Sequence, residues 1–273
     1  MTFDFTPWLQ RWNLTPDGEP FTSPTGQPLM PVCRDGLPLM LKINIHPEER
    51  DGASLLVWWR GIGAVRVLEN DGQAIVMDRA ADPRKLVDLS LAGHDDEAIR
   101  ILVQAASVLH QPRDQPLPPA LMPMETRFRC LWASAREIGG FYAETAAVAR
   151  ALTDNPQDET VLHGDIQHYN VLDFGERGWL AIDPKGLLGE RAYDFANIFC
   201  NPLDEVALSS GRVAHRATLL SDLTGIDRTR LLQWVVAYCG LSASWHLEDG
   251  TDPIRPVTIA SHARAELARI RPN

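Results

Sequence analysis

Residues 163–170 of this 273-residue chain read HGDIQHYN, and residues 182–184, which begin twelve positions after Asn170, read IDP. The residues between them form two short apolar runs on either side of a polar, glycine-containing stretch, which is the pattern of a β-hairpin. A hairpin here brings the chain back on itself, so we expect Asp183 to lie beside Asn170. Together with Asp165, this places two carboxylates and an amide in one small region, and that arrangement is the strongest indication of the fold.

The spacing H-x-D-x-x-x-x-N, followed by an Asp on the next strand, is typical of the catalytic loop of protein-kinase-like phosphotransferases. Transfer of a γ-phosphoryl group needs a carboxylate near the acceptor hydroxyl, and oxygen ligands for the Mg²⁺ ions that neutralise charge on the phosphates. Asp165 fits the first role, whereas Asn170 and Asp183 fit the second. His163 and His168 fit structural positions in the loop better than roles as an acid or a base.

A longer stretch, residues 161–202, resembles the family of aminoglycoside 6-phosphotransferases, which include streptomycin kinases, and hydroxyurea phosphotransferases. It contains HGDIQHYNVL, GWLAIDPKGLLGERAYDFANIF and NP in the order of the family's motifs. The resemblance extends to LMLKI at 39–43, WWRGIGAVRVL at 58–68, IVMDRA at 75–80 and LSASW at 241–245. It implies a bilobal, protein-kinase-like α+β fold and ATP-dependent phosphorylation of a small-molecule hydroxyl, with Mg²⁺ as the metal.

The resemblance also implies where the lobes divide. Residues 1–80 are expected to form a nucleotide-binding lobe around a small antiparallel sheet. Residues 81–273 are expected to form a larger, mainly helical lobe that carries the catalytic loop and the substrate site.

In the nucleotide-binding lobe, the family pattern gives roles to individual residues. Lys42 would contact the α- and β-phosphates of ATP, and a carboxylate on the following helix would hold its ammonium group in place. Glu49 is the expected partner, with Glu48 and Asp51 as alternatives. The segment from Asp78 to Ala80 would offer backbone groups to the adenine edge, so that its side chains would matter little.

Asp194 has two compatible interpretations, as an N-cap of the helix that follows and, by the resemblance, as a residue that binds the backbone of the catalytic loop.

The phosphate-covering loop departs from the family pattern: TSPTG at 22–26 stands in its place without a G-x-G-x-x-G motif. Gln167 stands where the family often has His. The sequence after Asp183 is Pro-Lys-Gly in place of Phe-Gly, which is typical of small-molecule kinases. Glu248 and Asp249, near Trp245, are either surface charges or ligands for a cationic antibiotic.

Local patterns agree with a sheet followed by helices. Asp35-Gly36 and Asn70-Asp71-Gly72 are turn signals between apolar runs, and each predicts a hairpin. Residues 47–59 predict an amphipathic helix that packs on the sheet. Further helices are predicted over 95–110, 131–152, 194–201, 204–223, 229–241 and 256–270, with a kink or close approach at the glycine pair within 131–152.

Composition limits the partners and the location. The 26 Lys and Arg residues against 36 Asp and Glu residues give a net charge of -10, which repels nucleic acid and attracts cationic small molecules. No apolar run approaches the roughly 20 residues that span a bilayer, and the N-terminus lacks the pattern of a secretion signal. We therefore expect a cytoplasmic protein with no membrane partner. The four cysteines lack a C-x-x-C spacing and are expected to be reduced.

Two other classes of function compete with a kinase. A metal-dependent hydrolase would use side chains of the catalytic segment as ligands, namely His163, Asp165, His168, Asp183 and Asp194. That interpretation leaves Lys42 and the spacing of Asn170 unexplained. A catalytically silent, nucleotide-binding regulator would carry the same motifs as a kinase, although the intact catalytic set argues against it. Within the kinase interpretation, we expect an aminoglycoside such as streptomycin as the acceptor, which implies antibiotic resistance; hydroxyurea or another hydroxylated metabolite is the alternative.

Overall fold

The computed structural model of the chain describes residues 3–23, 26–118 and 120–270. Its first part is a six-stranded antiparallel sheet of β1 (Thr15–Pro16), β2 (Phe21–Thr22), β3 (Pro28–Arg34), β4 (Leu37–Ile43), β5 (Val67–Asn70) and β6 (Ala74–Asp78). The strand order is β1-β3-β4-β6-β5, and β2 also pairs with β3.

Both hairpins of this sheet turn where the sequence predicts. Between β3 and β4, Asp35 and Gly36 have φ values of 52° and 79°, as the two central residues of a type I′ turn require. Between β5 and β6, the Asp71 Oδ1 accepts hydrogen bonds from the backbone N–H groups of Gln73 and Ala74, at 3.0 and 2.9 Å. Local turn chemistry therefore sets the register within each of these two hairpins.

Two helices cover the two faces of the sheet, α1 (Thr6–Arg11) and α2 (Pro47–Trp59). The face near α1 packs around its own small apolar cluster. On α2, Leu55, Leu56 and Trp59 are at most 2% exposed and belong to the cluster formed by the C-terminal helices. Burial of each such side chain contributes roughly 1.5–3 kcal/mol, so α2 joins the sheet firmly to the helical part.

The rest of the chain is mainly helical. Its helices are α3 (Lys85–Leu91), α4 (Asp95–Leu109), α5 (Met124–Arg127), α6 (Arg129–Glu137), α7 (Phe141–Thr153), α8 (Ala192–Ala196), α9 (Asp204–Ala207), α10 (Arg212–Thr224), α11 (Arg228–Glu248) and α12 (Ile254–Ile270). Two small sheets lie among them, built from β7 (Met122–Pro123), β8 (Glu159–Leu162), β9 (Val171–Asp173), β10 (Trp179–Ala181) and β11 (Leu187–Glu190). No helix of the described residues combines the length and apolar character needed to cross a membrane.

Some helical predictions were wrong in their continuity. The helix expected over 131–152 is broken into α6 and α7, because Gly139 and Gly140 adopt φ values of 74° and 53°. The helix expected over 204–223 is likewise divided into α9 and α10, and Gly211 between them has a φ of 73°. Glycine tolerates this left-handed backbone, which ends a helix.

The β11 strand was not predicted, yet it positions the site. It lies between β7 and β8, parallel to the first and antiparallel to the second. Because β8 runs directly into His163 and β11 begins four residues after Asp183, their pairing holds the two ends of the catalytic segment together. The β9–β10 hairpin, which was predicted, lies between them in the chain.

Candidate active site

The loop between β8 and β9 is held by a buried carboxylate. Asp194, which is 1% exposed, lies within α8 and not at its N-cap. Its two oxygens accept hydrogen bonds from the backbone N–H groups of His163 and Gly164, at 3.0 and 2.6 Å. His110, at the end of α4, is a third partner, with its Nε2 2.8 Å from the Asp194 Oδ2. Asp194 therefore anchors the start of the loop to the helical core.

His163 connects the two halves of the catalytic segment. Its Nε2 donates to the backbone oxygen of Ile182 at 2.8 Å, and its Nδ1 accepts from the Asp165 N–H at 3.2 Å. The ring is fully buried and stacks on Trp59 of α2, with ring centroids 6.2 Å apart. Burial lowers the pKa of His163 to about 4, so the imidazole is neutral. His163 thus fixes the backbone beside Asp165 and Asp183, and both of its nitrogens are engaged.

Two amides orient the Asp165 carboxylate. The Nδ2 of Asn170 donates to one oxygen at 2.8 Å, and the Nδ2 of Asn197 donates to the other at 2.6 Å. Tyr238 donates in turn to the Asn197 Oδ1 at 2.6 Å, which fixes the orientation of that amide. Burial raises the pKa of Asp165 to about 6, although Lys185 and Arg127 oppose the shift. The carboxylate is therefore held in one orientation and is more basic than a free aspartate.

Arg127 lies on the helical side of Asp165. Its Nε donates to the hydroxyl of Tyr193 at 3.0 Å, and its Nη2 donates to the backbone oxygen of Gly164 at 3.4 Å. The guanidinium group also lies 4.5 Å from the ring centroid of Trp245. These contacts keep a positive charge near the catalytic loop without a direct ion pair to Asp165.

Four charged side chains form an ion cluster between the sheet and the loop. Lys42 of β4 contacts the carboxylates of both Glu49 and Asp183. Lys185 approaches the same two groups, with its Nζ 3.2 Å from the Glu49 Oε1 and 3.1 Å from the Asp183 Oδ2. Burial alone would raise the pKa of Asp183, but the ammonium groups of the two lysines outweigh it and hold that pKa below its usual range.

The partner of Lys42 is Glu49, and not its neighbours on α2. Glu49 is 8% exposed and lines a small cleft together with Lys42 and Asp183, whereas Glu48 and Asp51 are exposed on the outer surface. A glycine makes this approach possible: a Cβ at Gly52 would lie 2.2 Å from the backbone oxygen of Pro184. The helix therefore packs directly on the main chain that follows Asp183.

The Asp78–Ala80 segment, expected to meet the adenine edge, is anchored on both sides. The Arg79 N–H donates to the Pro38 oxygen at 3.4 Å, and the Ala81 N–H donates to the Asp173 oxygen at 2.8 Å. The Asp78 side chain, expected to matter little, binds Arg66 and Arg177. It thus tethers the segment to the turn between β9 and β10. Use of the Asp78 and Ala80 backbone by a nucleotide stays a prediction.

Two oxygen donors are available for a metal beside the phosphates. The Ile182 N–H donates to the Asn170 backbone oxygen at 2.9 Å, which places Asp183 next to Asn170 as the hairpin predicts. The Asn170 Nδ2 is used on Asp165, so its side-chain oxygen is the atom left for a cation. One carboxylate and one amide oxygen suit Mg²⁺, which binds few protein ligands together with substrate phosphates. Among the described residues, no three His, Cys, Asp or Glu side chains form a metal-binding group.

Other predicted positions have different surroundings. His168 is fully buried, and its Nε2 lies 3.9 Å from Asp95, which is bound by Arg216 of α10. Gln167 accepts a hydrogen bond from the Tyr169 N–H at 2.8 Å and so stabilises the loop. Glu248 accepts from the thiol of Cys130 at 3.1 Å.

The segment 22–26, proposed as the phosphate-covering loop, connects β2 to β3, but its residues 24 and 25 lie outside the described part of the chain. Asp249, the other acidic residue suggested as an antibiotic ligand, is exposed just beyond α11.

Sequence reasoning missed four residues of the site: His110, Arg127, Lys185 and Asn197. Asn197 had a detectable signal, since it follows Asp194 by three positions and thus lies on the same side of a helical turn. Lys185 also stood within the motif, two positions after Asp183. His110 and Arg127 lack such a signal, because each comes from a distant helix.

The comparisons with known proteins agree with this geometry. A family model described as "Aminoglycoside/hydroxyurea antibiotic resistance kinase" matches residues 11–250. The chain is 44% identical to a streptomycin 3''-kinase of Klebsiella pneumoniae over 247 residues, which cover 89% of this chain and 92% of that protein. It is 30% identical to a streptomycin 6-kinase of Streptomyces glaucescens over 277 residues, which cover 94% and 87% of the two chains.

Solved structures confirm the expected fold. The aminoglycoside phosphotransferase APH(4)-Ia superposes with a TM-score of 0.60 at 14% identity and covers 98% of each chain. An ethanolamine kinase of Plasmodium vivax superposes with a TM-score of 0.59 at 14% identity and covers 92% of this chain and 82% of its own. A thermostable mutant of APH(4)-Ia, which superposes with a TM-score of 0.59, was solved as a ternary complex with ADP and hygromycin B. The chain is therefore a small-molecule phosphotransferase and belongs to the aminoglycoside/hydroxyurea antibiotic resistance kinase family.

Proposed function

We propose that this kinase transfers the γ-phosphoryl group of ATP to a hydroxyl of streptomycin. The observation that carries the proposal is that one segment, residues 163–184, carries both the doubly hydrogen-bonded Asp165 carboxylate and Asp183, which pairs with Lys42. One group is suited to an acceptor hydroxyl and the other to phosphates, and the loop joins them rigidly.

The nucleotide is expected to lie between the sheet and the β9–β10 hairpin. Lys42, held by Glu49, would contact the α- and β-phosphates, and the backbone of Asp78 and Ala80 would meet the adenine. Asn170 and Asp183 would hold Mg²⁺, which neutralises charge on the phosphates when bound. ATP as the donor favours a cytoplasmic location, where that nucleotide is abundant.

Asp165 is expected to receive the proton of the acceptor hydroxyl as the acceptor oxygen bonds to the γ-phosphorus. The bond between the γ-phosphorus and the oxygen that bridges it to the β-phosphate breaks, and ADP leaves. Because Asn170 and Asn197 fix the carboxylate, the acceptor hydroxyl meets it in one orientation. His163 and Asp194 act as positioning residues, since they hold the loop and not the substrate.

The acceptor is inferred from charge and from the relatives. Streptomycin carries cationic guanidinium groups, and a net charge of -10 favours a cation over an anion. Glu248 and Asp249 follow Trp245, whose ring lies beside Arg127 near the catalytic loop. The relatives at 44% and 30% identity are both named streptomycin kinases. A hydroxyurea phosphotransferase at 29% identity is a further relative, so hydroxyurea belongs in the test.

The experiment is a transfer assay with purified protein, Mg²⁺ and γ-labelled ATP. The panel contains streptomycin, aminoglycosides without guanidinium groups, hydroxyurea and hydroxylated metabolites. We expect label transfer and the mass of one added phosphate with streptomycin, and nuclear magnetic resonance of the product then identifies the phosphorylated hydroxyl. Transfer only to another compound would overturn the proposed acceptor, whereas bound ATP with no transfer to any compound would favour a regulator.

A further inference from the structure

The use of lysine in this chain is unusual. Of its 26 basic residues only three are lysines, Lys42, Lys85 and Lys185, and the other 23 are arginines. Two of the three lysines meet at one pair of carboxylates, Glu49 and Asp183. Lysine presents a compact, flexible point charge, whereas arginine presents a broad planar group. Because two of the three lysines share one ion cluster, we expect the compact ammonium charge to have a specific use there.

Only one of these lysines has a role in the proposed function. Lys42 and Lys185 divide the carboxylate oxygens between them: Lys42 contacts the Glu49 Oε2 and the Asp183 Oδ1, whereas Lys185 contacts the Glu49 Oε1 and the Asp183 Oδ2. Lys42 alone already gives Glu49 an ion-pair partner. The second ammonium group thus needs an explanation of its own.

The position of Lys185 points toward the site of transfer. Its backbone N–H donates to the His163 oxygen at 2.7 Å, so its main chain is fixed against the catalytic loop. Its side chain is 15% exposed, so it is not sealed in the core. Its side chain also begins against the residue that precedes Asp165, since a Cβ added to Gly164 would lie 3.2 Å from the Lys185 Cβ. Lys185 therefore stands between the carboxylate assigned to the acceptor and the carboxylate assigned to the metal.

Binding of a nucleotide with Mg²⁺ changes what Asp183 can offer. With a divalent cation on Asp183, the Lys185 ammonium group would lose part of its attraction to that carboxylate, and a γ-phosphoryl group beside it would offer a new anionic partner. The Lys185 side chain is long and flexible enough to exchange one partner for the other without movement of its fixed main chain.

We propose that Lys185 is a second phosphate-binding lysine, which contacts the γ-phosphoryl group between Asp165 and Asp183 during transfer. Lys185 keeps its proton and donates an N–H to a non-bridging γ-oxygen. The acceptor oxygen bonds to the γ-phosphorus, the β–γ bridging bond breaks, and the hydroxyl proton goes to Asp165. This inference rests on the proposed kinase function and deepens it, because it separates Lys185 from the α- and β-phosphates that are assigned to Lys42.

The test compares two nucleotides, since only one of them has a γ-phosphoryl group. Calorimetric titration in Mg²⁺ measures the Kd of ADP and of the non-hydrolysable ATP analogue AMP-PNP for the wild type and Lys185→Met. We expect Lys185→Met to weaken AMP-PNP by about 10- to 100-fold, the range of a hydrogen bond to a charged group, and to leave ADP within about twofold. We also expect kcat to fall by at least about 100-fold with little change in the KM of the acceptor.

Two variants control this comparison. Lys85→Met removes the remaining lysine, which is 48% exposed and pairs with Asp173 away from the cluster, and both Kd values should stay as in the wild type. Lys185→Arg keeps the charge and should restore part of kcat and of the AMP-PNP affinity. If the unfolding midpoint of Lys185→Met lies far below that of the wild type, Lys185→Gln replaces it in the titrations.

Equal weakening of ADP and AMP-PNP, or an unchanged kcat, would overturn the role of Lys185 at the γ-phosphoryl group. A failure of the proposed function has a different signature: the wild type itself would bind no nucleotide or transfer no phosphate to any acceptor. The two failures are therefore distinguishable.

Discussion

At the scale of single residues, the side chains that orient Asp165 differ from the charged side chains that surround it. Asp165 is oriented by two neutral amides, those of Asn170 and Asn197, while the cations Arg127 and Lys185 act on it without a direct ion pair. A direct ion pair would lower its pKa and weaken it as a base. With a pKa of about 6, Asp165 is ionised at neutral pH and still accepts a proton more readily than a free aspartate.

Asp165→Asn tests this role, because it keeps the shape of the side chain and removes its basicity. We expect kcat to fall by about 10²- to 10⁴-fold, as for the loss of a general base. The Kd of ADP should stay within about twofold of the wild type, because no nucleotide contact is assigned to Asp165. Steady-state kinetics with streptomycin and calorimetric titration with ADP measure the two quantities.

Asp158→Asn is the matched control for that substitution. Asp158 is a surface residue with a side chain that is 69% exposed and paired to Arg191, so kcat should stay as in the wild type. Full activity of Asp165→Asn would show that another group receives the proton or that none is needed.

At the scale of elements, α2 acts as a rigid arm that holds Glu49 against Lys42. Its contact with the chain after Asp183 depends on Gly52, where a Cβ would lie 2.2 Å from the Pro184 backbone oxygen. Elsewhere in a helix, replacing Gly by Ala stabilises by about 1 kcal/mol. At position 52, the sign of the change in the free energy of unfolding on Gly52→Ala therefore shows whether close packing or helix propensity dominates.

Gly52→Ala is expected to destabilise the protein by about 1–3 kcal/mol, the range of an overpacked core. Displacement of α2 should also weaken the binding of ADP, because Glu49 moves away from Lys42. Urea unfolding and calorimetric titration measure both effects. Ser54→Ala changes the exposed face of the same helix and should alter the free energy of unfolding by no more than about 0.5 kcal/mol. A more stable Gly52→Ala variant would contradict the close packing.

Elements governed by local chemistry could be predicted from the sequence. The Asp35-Gly36 turn and the spacing of Asp165 and Asn170 belong to this class, because neighbouring residues determine them. The β11 strand, Leu187–Glu190, could not be predicted in this way. Its four residues include a glycine and lack an alternating apolar pattern, so pairing with β7 and β8 alone makes them a strand.

Contacts between distant elements needed more than the sequence pattern. Lys42 and Asp183 are 141 positions apart, and family resemblance placed both near the phosphates without indicating that they touch. His110, at the end of α4, contacts Asp194 of α8, and Arg127 of α5 contacts Gly164 of the loop; nothing in their own segments indicates these partners. Such contacts depend on how helices pack, which periodicity does not determine.

At the scale of the whole molecule, one apolar core extends from α2 and β6 to the C-terminal helices. The catalytic loop crosses this core and carries two fully buried histidines, His163 and His168. Burial lowers the pKa of His163 to about 4 and that of His168 to about 3, where Arg216 also disfavours the charge. In the unfolded chain, both histidines have the ordinary histidine pKa of about 6.5. Between that value and the lower pKa of each buried histidine, the unfolded chain therefore binds more protons than the folded chain. Stability is therefore lost as the pH falls below about 6.5.

His168→Leu isolates one of these contributions, since the other titratable groups stay the same in both proteins. Within the described residues, neither ring nitrogen of His168 has a hydrogen-bond partner, so leucine of similar size should change the unfolding free energy at pH 7 by no more than about 1 kcal/mol. From pH 7 to pH 5, the variant should lose about 2 kcal/mol less than the wild type, because its unfolded state gains one proton fewer. Urea unfolding at both pH values measures this difference.

His262→Leu, at an exposed position, is the control, and its free energy of unfolding should still fall clearly from pH 7 to pH 5. An identical loss in His168→Leu and the wild type would mean that the folded protein also binds a proton at His168, and hence that the core beneath the catalytic loop admits charge.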